Sequence, residues 1–498
     1  MDPVVSLESG RLRGVTDAGV SRFIGVPYAA PPVGARRFRP PERPERWDGI
    51  REARSVGANA PQALRPFPFL DVAPLIGSGW RQGDDFLTLN VWTPDTSAKG
   101  LPVMVFVHGG AWLVGSKDEA VHDGSAFARA GIVCVAINYR LGIEGFLPIP
   151  GVPTNLGLRD QLHALAWVQE NVERFGGDPG NVTAFGESAG SMSLAPLVTS
   201  PAARGLFRRA ILQSGHASMV RHPDVAGRLV RQLAGLLGVT PDAQGFASVG
   251  IAQGLKSIEA ISPPGTAVDL RDGEGRDAAF GLTRFLPVYG DELLPQHPIR
   301  ALEAGAGANV DVLIGTNREE MNLYFVPTGV KAALTEPQAL AGLSLADPAA
   351  AAIFAAYAAA RPGGSPGEVF TDAAHDLAFR LPARHFARTH RGSTHLYEFG
   401  WRSPLFGGAL GACHGLELPF VFDTLASCTG PKGLAGLAPP RELASTIHRT
   451  WVEFATRGTL PWAPYRDSTR TCFALERGVS ARDADMPADA LVPSVPKA

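Results

Sequence analysis

Short apolar runs recur along this chain at residues 87–92, 102–107, 132–138, 182–185, 210–213 and 312–314, and several lead straight into Gly, Asn or Ser. Runs this short and this uniformly apolar predict strands buried on both faces, as in a sheet covered by helices. Residues 395–399 alternate in character and predict a further strand. Helical spacing fills the intervals. Over residues 159–174 the neighbouring apolar positions Leu158, Leu162, Leu165, Val168, Val172 and Phe175 fall three or four apart on one face. Strands alternating with helices predict an α/β fold, a mostly parallel central sheet flanked by helices. Reactive groups in such a sheet gather outside the carboxyl ends of its strands.

Segments that fit neither period read as loops and insertions. The Pro-rich stretches 31–44 and 61–74 predict long surface loops. The alanine-rich tract 347–360 predicts a helix, with Asp347 as its cap, Pro348 in the first helical position and Pro362-Gly363 as the stop. The length of 498 residues would allow about three domains, but no linker divides it, so residues 1–498 are expected to form a single domain.

Composition then narrows the classes. Apolar residues make up 45% of the chain, enough for a large core, and the formal charge is only −2 with no run of Lys or Arg. Nothing there favours nucleic acid or an anionic membrane surface as a partner. No apolar run approaches the roughly 20 residues of a membrane-spanning helix. Residues 1–8 lack the basic start and hydrophobic stretch of a secretory leader, so the expected location is the cytoplasm. Four cysteines (Cys134, Cys413, Cys428, Cys472) are too few for a disulfide scaffold, and Cys134 falls inside an apolar run as a small core residue.

One strand end carries a nucleophile pattern. Gly186-Glu187-Ser188-Ala189-Gly190 follows the run 182–185 directly, and a helix is expected from about Ser191. A strand-to-helix turn of this kind holds its serine exposed and strained, while glycines keep Cβ atoms out of the bend. The helix N-terminus then offers free N–H groups to a developing oxyanion. In a chain with 57 glycines the pattern alone is weak, and Gly363-Gly364-Ser365-Pro366-Gly367 matches it too. No strand precedes Ser365, and Pro366 has no N–H to donate, so that match is expected to be a loop.

Acyl transfer also needs a second source of N–H donors and a base held by an acid. His108-Gly109-Gly110-Ala111-Trp112 follows the run 102–107, the place for a second donor loop. Past the run 312–314 comes Gly315-Thr316-Asn317-Arg318-Glu319-Glu320, where an acid could orient an imidazole. Six histidines follow: His375, His385, His390, His395, His414 and His448. Residue pattern does not choose among them. His385, His390 and His395 lie five apart, which does not align them on one helix face, so they are expected on ordinary helix and loop surface rather than around a metal.

Several blocks, in order, resemble the type-B carboxylesterase and cholinesterase-like family of α/β-hydrolases, its bacterial carboxylesterase members most of all. They include Phe23-Ile24-Gly25-Val26-Pro27-Tyr28-Ala29 with Arg37-Phe38, and Asp85-Phe86-Leu87-Thr88-Leu89-Asn90-Val91. Further blocks are Asn155-Leu156-Gly157-Leu158-Arg159-Asp160-Gln161, Phe175-Gly176-Gly177-Asp178-Pro179, Gly186 to Gly190, Gln213-Ser214-Gly215 and His414-Gly415-Leu416-Glu417. The resemblance implies an α/β-hydrolase fold with long insertions and hydrolysis of a small-molecule carboxylic ester, without metal or cofactor. By position it implies Ser188 as nucleophile, Glu320 as acid and His414 as base, with the backbone N–H groups of Gly110, Ala111 and Ala189 as oxyanion donors. The same site admits amide or carbamate hydrolysis, and some relatives are non-catalytic binding proteins.

Three departures from the family pattern stand out. Glu319-Glu320-Met321 replaces Asp-Glu-Gly, which leaves Glu319 as a rival acid. Phe86 replaces a cysteine, so the family's N-terminal disulfide is missing. Gly290-Asp291 behind Pro287-Val288-Tyr289 inverts the usual Asp-Gly, which suggests a reshaped loop beside a pocket expected to be lined by Trp112 and Phe285.

Overall fold

Apolar runs become strands because a strand buried on both faces needs side chains that lose nothing by leaving water. Every residue of Thr88–Thr93, Val133–Ile137 and Arg209–Gln213 is buried. The computed structural model describes residues 2–493, apart from 64–66, 68, 263–265 and 267. Its strands are β1 (Val4–Ser6), β2 (Arg11–Arg13), β3 (Val15–Asp17), β4 (Val20–Pro27) and β5 (Ile50–Glu52). They continue with β6 (Thr88–Thr93), β7 (Leu101–Val107), β8 (Val133–Ile137), β9 (Gly177–Glu187) and β10 (Arg209–Gln213). The last four are β11 (Asp311–Asn317), β12 (Thr394–Phe399), β13 (Thr471–Ala474) and β14 (Val479–Arg482).

Eleven of these form one sheet in the order β14-β13-β12-β11-β10-β9-β7-β8-β6-β4-β3. The central run from β8 through β13 is parallel, while β3, β4, β6 and β14 add antiparallel edges. Strands β1, β2 and β5 make a separate small sheet. The pleat divides the core in two: Val103, Val105 and Val107 of β7 pack on one side, and Met104 and Phe106 on the other. A satellite core lies between the helices Glu336–Ala346, Ala350–Ala360 and Pro366–His375.

Several elements differ in extent from their sequence pattern. Strand β9 extends well beyond residues 182–185, because β7 pairs with it from Gly177 to Gly186. The helix expected over 159–174 starts earlier, at Leu156, and closes in a tighter turn over Val172–Phe175. Strand β12 alternates in sequence but is buried on both faces, its Glu398 neutralised by Arg380 and Arg318. The alanine helix starts at Ala350, not at Pro348, since the Asp347 carboxylate is held by Arg276 while accepting the Ala349 N–H. Of the two expected loops, 31–44 contains one short turn at Gly34–Arg36, and 61–74 runs into the helix Ala73–Ile76. The part of the second expected loop at 64–66 and 68 lies outside the described residues.

Other sequence expectations fail on burial. His385, His390 and His395 are not on the surface but buried. The His390 ring, for instance, is held between Thr394 Oγ1 and Gly307 O at 2.7 and 2.9 Å. Ser365 is not in a plain loop either: it caps the helix Pro366–His375 in a reciprocal capping box with Glu368. All four cysteines are free and buried, and no helix among the described residues is long and apolar enough to cross a membrane.

Candidate active site

Four adjacent parallel strands, β7, β9, β10 and β11, deliver their carboxyl ends to one region, and the loops leaving them build the site. Beyond β9 the chain reverses at Ser188 with φ 53° and ψ −124°, a conformation that costs a non-glycine residue roughly 1–3 kcal/mol. The turn is held on both sides: Ser188 N–H donates to Gln213 O at 3.0 Å, and Ser188 O accepts from Met192 N at 2.7 Å. The helix Ala189–Thr199 begins at once. Gly190 makes this possible, since a Cβ there would sit 2.0 Å from Val107 O.

After β7 the loop carrying Gly110 and Ala111 takes positive φ at both residues, 107° and 57°. Their N–H groups have no hydrogen-bond acceptor among the described residues. Ala189 is the first residue of its helix, so its N–H has no intrahelical acceptor either. A cavity of about 630 Å³ opens here, within the usual range for a small-molecule site. Gly110, Ala111, Ser188, Ala189 and His414 all line it. The remaining wall is mostly apolar, with Leu75, Trp112, Met192, Ile258 and Phe379 among its members.

His414 stands on this wall and meets Glu320, which is buried behind it. His414 Nδ1 lies 2.7 Å from Glu320 Oε2, while Glu320 Oε1 accepts from Ser214 Oγ and from the Asn317 N–H, both at 2.7 Å. Glu320 is wholly buried, so these bonds replace the water its carboxylate has lost. Glu319 turns the other way, pairs with Arg402 and accepts the Ala412 N–H at 2.9 Å. Among the six candidate histidines His414 alone touches Glu320. His448, for example, is turned to Val421 O at 2.8 Å.

Three functional neighbours were not singled out by the sequence pattern. Glu187, the variable residue of the pentad, places Oε1 3.2 Å from His414 Nε2 without hydrogen-bond geometry. Burial raises the Glu187 carboxyl above the usual range. Burial also pulls the His414 imidazole down, but Glu187, Glu320 and Glu417 outweigh it and leave the imidazole above its usual value. Ser214 and Glu417 complete the surroundings. Gln213 and Asn317 donate to Glu417 at 3.2 and 2.6 Å, and Trp451 donates to Gln213 at 3.0 Å. Both residues lie in the blocks Gln213-Ser214-Gly215 and His414-Gly415-Leu416-Glu417, so proximity to the site was the only signal available.

The pocket expectation was half right. Trp112 lines the cavity, its indole N–H bonded to Ser193 Oγ at 2.9 Å. Phe285 does not; Gly281 to Arg284 supply that part of the wall. Gly290-Asp291 also lies off the wall, because Asp291 is used to hold Thr154, Asn155 and the Leu293 and Leu294 N–H groups. Among the described residues no group of His, Cys, Asp and Glu has the arrangement of a metal site.

Comparison with known proteins gives this geometry its context. Residues 1–485 match the model of the Carboxylesterase family. The chain is 36% identical to the para-nitrobenzyl esterase of Bacillus subtilis over 96% of its own length and 95% of that protein. It is 34% identical to the phenmedipham hydrolase of Pseudarthrobacter oxydans, covering 92% and 90% of the two chains. A solved PNB esterase superposes with a TM-score of 0.84 at 34% identity, over 99% of this chain and 100% of the other. The chain belongs to the carboxylesterase family of serine hydrolases and has the α/β-hydrolase fold.

Proposed function

We propose that this carboxylesterase-family enzyme hydrolyses uncharged, largely apolar carboxylic esters through an acyl-enzyme on Ser188. The observation that carries this reading is the 2.7 Å contact between buried Glu320 and His414, with His414 on the cavity wall that also holds the strained Ser188. In this reading His414 takes the Ser188 proton as Oγ attacks the ester carbonyl, then protonates the departing alcohol. Water repeats the two steps and frees the acid. Glu320, accepting from His414 Nδ1, keeps Nε2 as the base and stabilises the imidazolium. The N–H groups of Gly110, Ala111 and Ala189 receive the negative charge of the tetrahedral intermediate, each donor worth roughly 3–4 kcal/mol of barrier.

The substrate class follows from the wall. An apolar cavity of about 630 Å³ favours an apolar acyl or alcohol group of moderate bulk. The relative named as an esterase of a para-nitrobenzyl ester supports the same class. A second bond type has one observation in its favour: another relative is named phenmedipham hydrolase rather than esterase. Matched ester, amide and carbamate substrates separate these readings by their kcat/KM. Intact-protein mass spectrometry after a fluorophosphonate probe, followed by peptide mapping, tests the chemistry itself. A single stoichiometric adduct on Ser188, abolished by His414→Ala, is expected. A folded protein that takes no adduct overturns the reading.

A further inference from the structure

Between the helices Pro366–His375 and Leu381–Thr389 the chain makes one wide π-type turn, Asp376–Arg380. Such turns are rare and recur at functional sites. This one is anchored from behind by ion pairs. Tyr357 Oη donates to Asp376 at 2.6 Å, Arg380 donates to Asp376 at 2.6 Å and to Glu398 at 2.8 Å, and Arg384 reaches Asp483 at 2.7 Å. All of these groups are partly or wholly buried, so breaking one partner would leave another uncompensated.

From the front the same segment touches three loops of the site. His375 Nδ1 accepts the N–H of Met321, the residue after Glu320, at 2.9 Å. Ala378 O lies 3.0 Å from His216 Nε2, and His216 Nδ1 accepts the Ser218 N–H at 3.2 Å, which sets the proton on Nε2. His216 is two residues beyond Ser214, the donor to Glu320. The Phe379 ring packs on the His414 imidazole with centroids 4.8 Å apart at 44°. His375 and the turn that follows it therefore contact the loops that carry Ser214, Glu320 and His414, which are the three members of one hydrogen-bond chain.

We propose that His375 and the π turn Asp376–Arg380 brace the acid against the base, with His375 and Phe379 as positioning residues for the hydrolytic reaction. The inference rests on Glu320 and His414 acting as proposed above. Its physical basis is that the proposed reaction needs His414 Nε2 to face Ser188, which shares its cavity wall. Glu187 Oε1 is 3.2 Å away without a directed bond, so the grip on Nδ1 and the rings of Phe379 and Tyr324 beside the imidazole decide where Nε2 points. Loosening either grip lets the ring swing towards the carboxylate and away from the serine. His375 is buried and held in its neutral form, chiefly by burial and also by the nearby cations Lys331, Arg380 and Arg361, and it can therefore serve as an acceptor.

The test compares His375→Ala, His375→Asn, Phe379→Leu and Ser188→Ala in the full chain, each checked for a native melting transition. His375→Ala is expected to lower kcat by about tenfold with KM within twofold, as for a small misplacement of a catalytic group. His375→Asn, whose Oδ1 can replace Nδ1 as the acceptor, is expected to restore most of the rate. Phe379→Leu is expected to lower kcat by the same factor for acetyl and hexanoyl p-nitrophenyl esters. Wild-type kcat in folded His375→Ala, or no rescue by Asn, overturns the brace. If the His375 variants fail to fold, Phe379→Leu decides: a loss confined to one acyl length makes that ring a pocket wall only and overturns the proposal. Ser188→Ala keeps the two readings apart. An active Ser188→Ala protein removes the catalytic assignment on which the brace depends, whereas an inactive one beside a fully active His375→Ala removes the brace alone.

Discussion

Gly186–Gly190 and Gly363–Gly367 carry one local pattern and put it to opposite uses. Their last glycines serve the same purpose. A Cβ on Gly190 would meet Val107 O at 2.0 Å, and one on Gly367 would meet Lys331 O at 2.1 Å, so both admit a helix start close to another backbone. What differs lies on the other side of the serine. Gly186 lies at the buried end of a strand paired to β7 and β10, and the chain must reverse sharply to leave it. Ser188 is thereby forced into positive φ with its side chain on the cavity. Gly363 lies in open space after the alanine helix, and Ser365 keeps an extended conformation, its Oγ accepting from Glu368 N at 3.3 Å. Strain and exposure at one serine, relaxation and a cap at the other, follow from the element in front and not from the pentad.

Substitutions in both pentads sharpen this contrast. The largest expected effect is from Ser188→Ala, which should lower kcat by roughly four orders of magnitude or more with the fold intact, as read by steady-state kinetics and circular dichroism. Glu320→Gln should come next, with a loss of about 10³ in kcat because the tautomer and the imidazolium both lose support. Glu319→Gln removes the charge that faces Arg402 while leaving an oxygen to accept the Ala412 N–H, and should change kcat by less than about threefold. An equal loss in the two variants would show that Glu320 has no special claim.

Glu187→Gln tests the variable position of the pentad, which is Gly364 in the other copy. The proposed mechanism requires neutral His414, and the Glu187 carboxylate favours its protonated form. Removing that charge lowers the His414 pKa, so the acidic limb of kcat/KM should move to lower pH, by up to about one unit. A limb that stays fixed would mean that Glu187 is uncharged over that range, and one that moves up would overturn the assigned effect of its charge. The smallest effect belongs to Ser365→Ala: loss of the cap should cost about 1 kcal/mol in denaturant unfolding and leave kcat unchanged. A drop in kcat there would bring the second pentad back as chemistry.

Much of this was legible in advance because its cause is local. Buried strands need continuous apolar runs, so β6 to β11 could be placed from the sequence, and with them the strand ends where Gly110, Ser188 and Glu320 sit. The single-face pattern from Leu158 to Phe175 identified the helix for the same reason. Family resemblance, and not the residue pattern, picked His414 from six histidines, since it reaches Glu320 across 94 positions of sequence.

Tertiary structure decided what depends on packing between distant segments. Glu319 and Glu320 are chemically identical neighbours, and the partners brought by other segments, Arg402 and Ala412 for one and His414 and Ser214 for the other, send one outwards and the other inwards. The buried histidines at 385, 390 and 395 were misread because burial depends on segments outside any local window, whereas the role of Ser365 was readable in Ser365-Pro366-Gly367-Glu368, the local pattern of a capping box. The π turn at Asp376–Arg380 left no periodic signal either, since Arg380 is paired with Glu398 of a strand that follows the next helix. Hydrophobic periodicity records what each segment does with water. Which polar group meets which is settled only when the segments pack, because a buried charge accepts whatever partner the fold brings within reach.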